Sequence, residues 1–226
     1  VPVLVDVSIG RATLGFDGRL GDPLGEPTLD GTLKLSGPSL SAVGEPLGLT
    51  LPATPPFALE GRLARHDPVW HLDVAKATVG RSRLAGEFAY DPQPAVPKLS
   101  GSLRGQRLVL GDLAPALGGQ TGAGGDDKPR QAKGAPRIIP NREFDLPSLR
   151  AMDADVAVAL DELDLGSSAV EPLRPLKGRI GLAGGVLTLE QLDARTAGGR
   201  IAGSTVLDAN AKPAKWQADL QWSGID

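Results

Sequence analysis

Apolar residues recur at every second position along most of this chain, in short runs broken by turn-forming clusters. Val1, Val3, Val5, Val7 and Ile9 make the first such row, and Trp70, Leu72 and Val74 make another, with His71 and Asp73 on the opposite side. Leu84, Gly86, Phe88 and Tyr90 follow the same rule. So do Met152, Ala154, Val156, Val158 and Leu160, against Asp153 and Asp155, and finally Trp216, Ala218, Leu220 and Trp222, against Gln217, Asp219 and Gln221. A period of two with one apolar side predicts antiparallel strands wetted on one face. The stretches DPQPAVP (91–97), AGG (183–185) and DANAKP (208–213) supply the turns between them.

Helical periodicity is confined to two places. PSLSAVGEPLG (38–48) spaces Leu40, Val43 and Leu47 for a helix, and LGDLAPALGG (110–119) does the same with Leu110, Leu113 and Leu117. Each stretch supports one or two turns. Residues 119–143 hold almost nothing apolar before Ile138 and are rich in Gly, Asp, Lys, Pro and Gln, the composition of a flexible linker or long loop. The expected organisation is therefore repeated β-units over 1–118, a flexible insert over 119–144 and a further β-unit of the same elongated domain over 145–226.

The chain repeats itself. A shift of 117 lays Pro55 on Pro172, Gly61-Arg62-Leu63 on Gly178-Arg179-Ile180, and Arg83-Leu84-Ala85-Gly86 on Arg200-Ile201-Ala202-Gly203. A shift of 70 lays residues 27–48 on 97–118, pairing Gly31 with Gly101 and Leu40 with Leu110. The unit is a few antiparallel strands, sometimes followed by a helical turn. The predicted fold is mainly β: a curled antiparallel sheet of repeated units forming an open groove, with one or two short helical turns.

Within this pattern glycine occupies a recurring place. Gly18, Gly31, Gly61, Gly86, Gly101, Gly178 and Gly203 each sit between two apolar residues at the ±2 positions, loosely so for Gly203, whose second flank is Thr205. They therefore lie on the apolar face. Glycine inside a strand costs roughly 0.5–1 kcal/mol relative to alanine, so a compensating role is expected. One role is curvature, through bulges and close backbone approach. Another is room for a long apolar ligand where side chains are missing. The two are compatible.

Composition excludes more than it selects. With 24 basic and 27 acidic residues and 4% aromatics, the chain has no basic face for nucleic acid. It has no cysteine, which removes disulfides and thiolate metal sites. No apolar run approaches the ~20 residues of a membrane span. The chain begins without Met inside an apparent strand and is expected to be a segment of a longer protein. GAGGDDK lacks the spacing of a phosphate loop. His66 and His71 are the only histidines and have no further ligands marked out for zinc. No G-x-S-x-G turn is present, and DADVAVALDELDLG (153–166) lacks the calcium-loop pattern. Neither catalysis nor a cofactor or metal is expected. A parallel β-helix is disfavoured because two asparagines, Asn141 and Asn210, cannot build a ladder.

Four stretches carry a resemblance: GPSLSAVGEPLGLTLPATPPFALEGRL (37–63), LDVAKATVGRSRLAGEFAYD (72–91), LSGSLRGQRLVLGDLAPALG (99–118) and GGVLTLEQLDARTAGGRIAGSTVLDAN (184–210). Together with the order of insert, RIIP, LRAMDADVAVAL (149–160) and final hairpins, they resemble the AsmA family of Gram-negative envelope proteins over nearly the whole chain. The resemblance implies a periplasmic protein anchored in the inner membrane, whose repeated β-units form an apolar trough. It implies a role in phospholipid movement between membranes and in outer-membrane assembly, with no catalytic residues to transfer. The family's N-terminal anchor helix is expected to lie outside this segment.

On that basis phospholipid acyl chains are the expected partner, alongside envelope proteins and adjoining repeats of the full-length chain. The expected lining comprises Leu59, Leu63, Leu72, Val74, Leu84, Phe88, Leu99 and Leu103, with Ile180, Leu189, Ile201, Leu207, Trp216 and Leu220 from the second copy. The alternative from another class is an envelope assembly scaffold whose apolar face is ordinary core.

Overall fold

The computed structural model describes residues 1–21, 28–44, 53–66, 68–113, 150, 152–166, 171–211 and 213–224. The expected insert at 119–144 lies outside them. The first unit holds β1 (Pro2–Ile9), β2 (Ala12–Gly21), β3 (Thr28–Gly37) and the single helical turn α1 (Ser41–Gly44). The second holds β4 (Phe57–His66), β5 (Val69–Val79), β6 (Ser82–Asp91), β7 (Lys98–Val109) and a 3₁₀ turn, Leu110–Leu113. Then come β8 (Asp153–Leu160), the two-residue β9 (Leu163–Asp164), β10 (Leu176–Ala183), β11 (Val186–Thr196), β12 (Gly199–Asp208) and β13 (Lys215–Ser223).

All belong to one open, mainly antiparallel sheet in the order β1-β2-β3-β4-β5-β6-β7-β8-β10-β11-β12-β13, with β9 beside the end of β7. Both shifts found in the sequence are structural. Adding 117 to the bounds of β5 and β6 gives those of β11 and β12, and adding 70 to β2 gives β6. The two helical turns also correspond, each closing a run of strands.

Two pairings depart from the antiparallel expectation, both made by β7: one with β8 and a two-residue one with β9. β7 and β8 run parallel, from Lys98 beside Asp153 to Gly105 beside Leu160. A parallel pair cannot be closed by a tight turn and needs a long crossover. The intervening segment, 114–152, supplies that length.

The packed core lies along one border of the sheet. Val43 of α1 is buried against Ala12 and Phe57, with Leu35, Leu40 and Val79 around them. A reciprocal pair of hydrogen bonds fixes this cap: the Leu40 N–H donates to Thr54 Oγ1 (3.1 Å), and the Thr54 N–H donates to Ser39 Oγ (2.9 Å). Further along, Leu108, Val158, Leu160, Leu176 and Ala194 form a second buried cluster.

The glycines have a common cause. A Cβ on Gly18, Gly31, Gly61, Gly86, Gly101 or Gly203 would run into a carbonyl oxygen of the neighbouring strand, on Asp30, Asp17, Asp73, Ser102, Glu87 and Asp219 respectively. Gly203 also holds φ at 147°, a conformation that disfavours any side chain. At Gly178 the nearest atom is Leu189 Cδ1, at 3.1 Å, beside the register shift between Lys177 and Arg179. Close backbone approach is thus the rule. At three positions the space is also filled: the Phe16 ring lies over Gly18 and Gly31, and the Phe88 ring over Gly86. Such aromatic cover compensates a strand glycine by packing on its bare backbone.

Candidate functional site: an uncovered apolar face

Register aligns the alternating residues of separate strands into rows. One row runs Val7–Leu14–Leu35–Leu59–Ala77–Leu84 through the first six strands. It continues Gly105–Leu160–Leu176–Ala194–Ile201–Trp222 to the far edge. Twelve strands at ~4.8 Å spacing make this apolar band about 50 Å long.

All fourteen predicted lining residues fall on that face, so alternation assigned their side correctly. Val74 and Leu207 are buried, and ten others are half-buried. Trp216 and Leu220 stand on the edge strand β13 and are each 49% exposed. Leu84, Leu103 and Ile180 pack on the second core cluster, whereas Leu59, Leu63, Leu72, Phe88, Leu99, Leu189 and Ile201 belong to neither cluster. Away from the capped border, no second layer covers the face among the described residues.

The opposite face is polar and crossed by ion pairs. Arg62 holds Asp30 through two bonds of 2.7 and 2.5 Å, Arg179 holds Asp155 through two of 2.6 Å, and Arg200 holds Asp193 at 2.7 and 3.0 Å. In each, the hydrogen bond from the guanidinium keeps the carboxyl below its ordinary range. Asp164 is lowered likewise, by Arg107 and by the Gly166 N–H.

Two hollows, of about 730 and 610 Å³, open on this polar side. They are bordered by residues flanking the row Leu35–Leu59–Ala77–Leu84–Gly105–Leu160–Leu176, among them Lys34, Glu60, Lys76, Arg83, Arg104 and Lys177. Of the predicted lining, only Leu59 and Leu84 border a hollow.

Two features escaped the sequence reading. Arg65 continues the apolar series Leu59–Gly61–Leu63 at the end of β4, and its guanidinium lies 5.2 Å from the Trp70 ring centroid. The two-residue period alone was enough to place it. The buried Ser82–Asp112 contact had no signal, because it joins residues 30 apart through a turn. His66 and His71 bring their rings to 5.9 Å, and the described residues contain no group of three metal-ligating side chains. No described helix is long and apolar enough to cross a membrane.

The sequence profile of the AsmA family matches residues 2–226, the full span of the sheet. The chain belongs to the AsmA family. A curated relative, the AsmA family protein YhjG of Escherichia coli (strain K12), is 34% identical over 238 residues, covering 97% of this chain and 34% of its own length. The chain thus spans about a third of that relative. No solved structure matches it. Membership joins this uncovered face to a family of bacterial envelope proteins.

Proposed function

We propose that this AsmA-family segment carries phospholipid acyl chains on its apolar face, in a periplasmic protein anchored to the inner membrane. The role is non-catalytic passage of lipid between membranes, in support of outer-membrane assembly, with adjoining repeats extending the same surface. The observation that carries the reading is the neighbouring row that runs from Val3 through Leu63, Leu72, Phe88, Val156, Ile180 and Leu189 to Ala218, uncharged on twelve strands and with no residue buried. A soluble protein rarely leaves so long an apolar surface uncovered without using it. Each methylene moved from water onto it contributes about 0.8 kcal/mol, and aliphatic walls discriminate little between acyl chains.

The test is photo-crosslinking in cells from Leu72 and Ile201, which line the face outside both core clusters, with Ala202 as a polar-side control. Lipid extraction and mass spectrometry of the purified chain accompany it. Lipid adducts at Leu72 and Ile201 alone support the reading. Absence of lipid in both measurements ends it.

The second reading, a scaffold for envelope proteins, is favoured by one observation. The last described strand, β13, is exposed throughout and presents Trp216, Leu220 and Trp222 beside an edge that has no partner strand among the described residues. Such an edge invites an added strand from another segment or protein. Protein adducts confined to β13, without lipid elsewhere, would select it.

A further inference from the structure

Arg65 is the one charged residue on the apolar face of the described strands. Its place is specific. The row at this border reads Leu20–Leu29–Arg65–Trp70–Tyr90–Leu99, so the charge stands between leucines on one side and two amphipathic aromatics on the other. The border lies opposite the one packed by α1 and the core clusters, at the hairpin end of β4 and β5. Among the described residues Arg65 has no carboxylate within ion-pair distance, and its Nε is buried without a hydrogen-bond partner. Elsewhere in the sheet Arg62, Arg104, Arg179 and Arg200 face the polar side and are paired with acids.

A guanidinium on an apolar face is costly unless something of opposite charge meets it. Stacking on Trp70 relieves part of that cost, yet leaves its N–H donors available. Trp and Tyr beside it suit a boundary between hydrocarbon and water, and a long arginine stem reaches such a boundary while its methylenes stay on apolar surface. We infer that Arg65 anchors the phosphate of a phospholipid whose acyl chains lie along the apolar face towards the capped border. The fork of guanidinium donors matches phosphate oxygens in a way a lysine ammonium does not. This inference rests on the acyl-chain reading above and adds to it a headgroup position and a preference for phosphate-bearing lipid.

The experiment compares binding of fluorescent phosphatidylglycerol and fluorescent diacylglycerol, which has the same chains and no phosphate, to the intact chain and to Arg65→Leu and Arg65→Lys. The unaltered chain is expected to prefer phosphatidylglycerol by about tenfold, the size of one charge-assisted contact. Arg65→Leu erases the preference by weakening phosphatidylglycerol alone, and Arg65→Lys restores part of it. Thermal unfolding of each variant checks that the sheet is intact. Equal binding of both lipids by the unaltered chain, or a preference that survives in Arg65→Leu, overturns the role of Arg65 while leaving the acyl-chain reading in place. Binding of neither lipid overturns both.

Discussion

Ser82 donates its hydroxyl to Asp112 Oδ2 at 2.7 Å, in a site where both side chains are buried. The same oxygen accepts the backbone N–H groups of Arg81 and Ser82, each at 2.9 Å, while Ser82 Oγ accepts the N–H of Val109 at 3.0 Å. A carboxylate from the turn after β7 thereby ties down the β5–β6 hairpin. Asp112→Ala leaves three donors without their acceptor, and buried donors cost about 1–3 kcal/mol each when orphaned. The expected loss is about 3 kcal/mol, with Asp112→Asn intermediate because one carboxamide oxygen remains. Urea unfolding checks it; an alanine midpoint equal to that of the unaltered chain would refute the latch.

Close backbone approach makes a graded forecast for glycine replacements. Gly203→Ala places its Cβ against the Asp219 carbonyl at a φ of 147°, and a loss of about 1–3 kcal/mol is expected from that strain. Gly61→Ala meets the Asp73 carbonyl beside the register shift at Glu60 and should lose a similar amount. At Gly15, by contrast, the nearest atom to an added Cβ is Lys34 Cβ at 3.9 Å, an ordinary contact. Gly15→Ala should be neutral or raise stability by about 0.5 kcal/mol, since the unfolded chain loses freedom. Thermal melts of the three variants settle the ranking, and equal losses at all three would count against backbone crowding.

The polar-face ion pairs set a pH dependence with a definite sign. The carboxyls of Asp30, Asp155 and Asp193 titrate below their ordinary range in the folded chain because Arg62, Arg179 and Arg200 hydrogen-bond their charged forms. A lowered folded pKa contributes stability that is fully present above the unfolded value, about 4, and is lost as pH falls through the folded one. Stability carried by these pairs should therefore be level between pH 7 and pH 5 and decline below about pH 4. The pairs are exposed, so the decline is small and weakens in salt. Asp155→Asn should flatten part of it. An Asp155→Asn profile parallel to that of the unaltered chain at every pH would remove this pair from the account.

The faces of the sheet were legible because a period of two leaves no choice of side: Leu59, Leu72, Leu84 and Ile201 share a face wherever their strands pair. The repeat was legible too, since the 117 shift that matches Arg83-Leu84-Ala85-Gly86 to Arg200-Ile201-Ala202-Gly203 also matches the ends of β6 and β12. The parallel pairing of β7 with β8 was hidden, because nothing in Leu99–Leu103 or Ala154–Val158 records the direction of a partner. The register shifts at Val74–Ala77 and Leu189–Leu192 were hidden for a related reason: a bulge is decided by two strands together, and the glycines marked only the need for one. Trp216 and Leu220 were placed on the right face, yet their exposure depends on β13 being an edge, a property of sheet order and not of the strand.

The tryptophans report directly on whether the apolar face meets lipid. All three, Trp70, Trp216 and Trp222, stand on that face, and none stands on the polar one. Trp222 is 56% exposed and Trp216 49%, whereas Trp70 is half-buried beneath Arg65. In single-tryptophan variants with phenylalanine at the other two positions, iodide in lipid-free buffer should quench Trp216 and Trp222 more than Trp70. Phospholipid with brominated acyl chains should then quench Trp70. Bromines near the glycerol should act more strongly there than bromines near the terminal methyl, because Arg65 holds the headgroup beside this ring. A scaffold with a dry apolar face predicts no difference between brominated and ordinary lipid at any tryptophan. Stronger quenching of Trp70 by the deep bromines would put the headgroup at the opposite border, against the position of Arg65, while still requiring chains on the face.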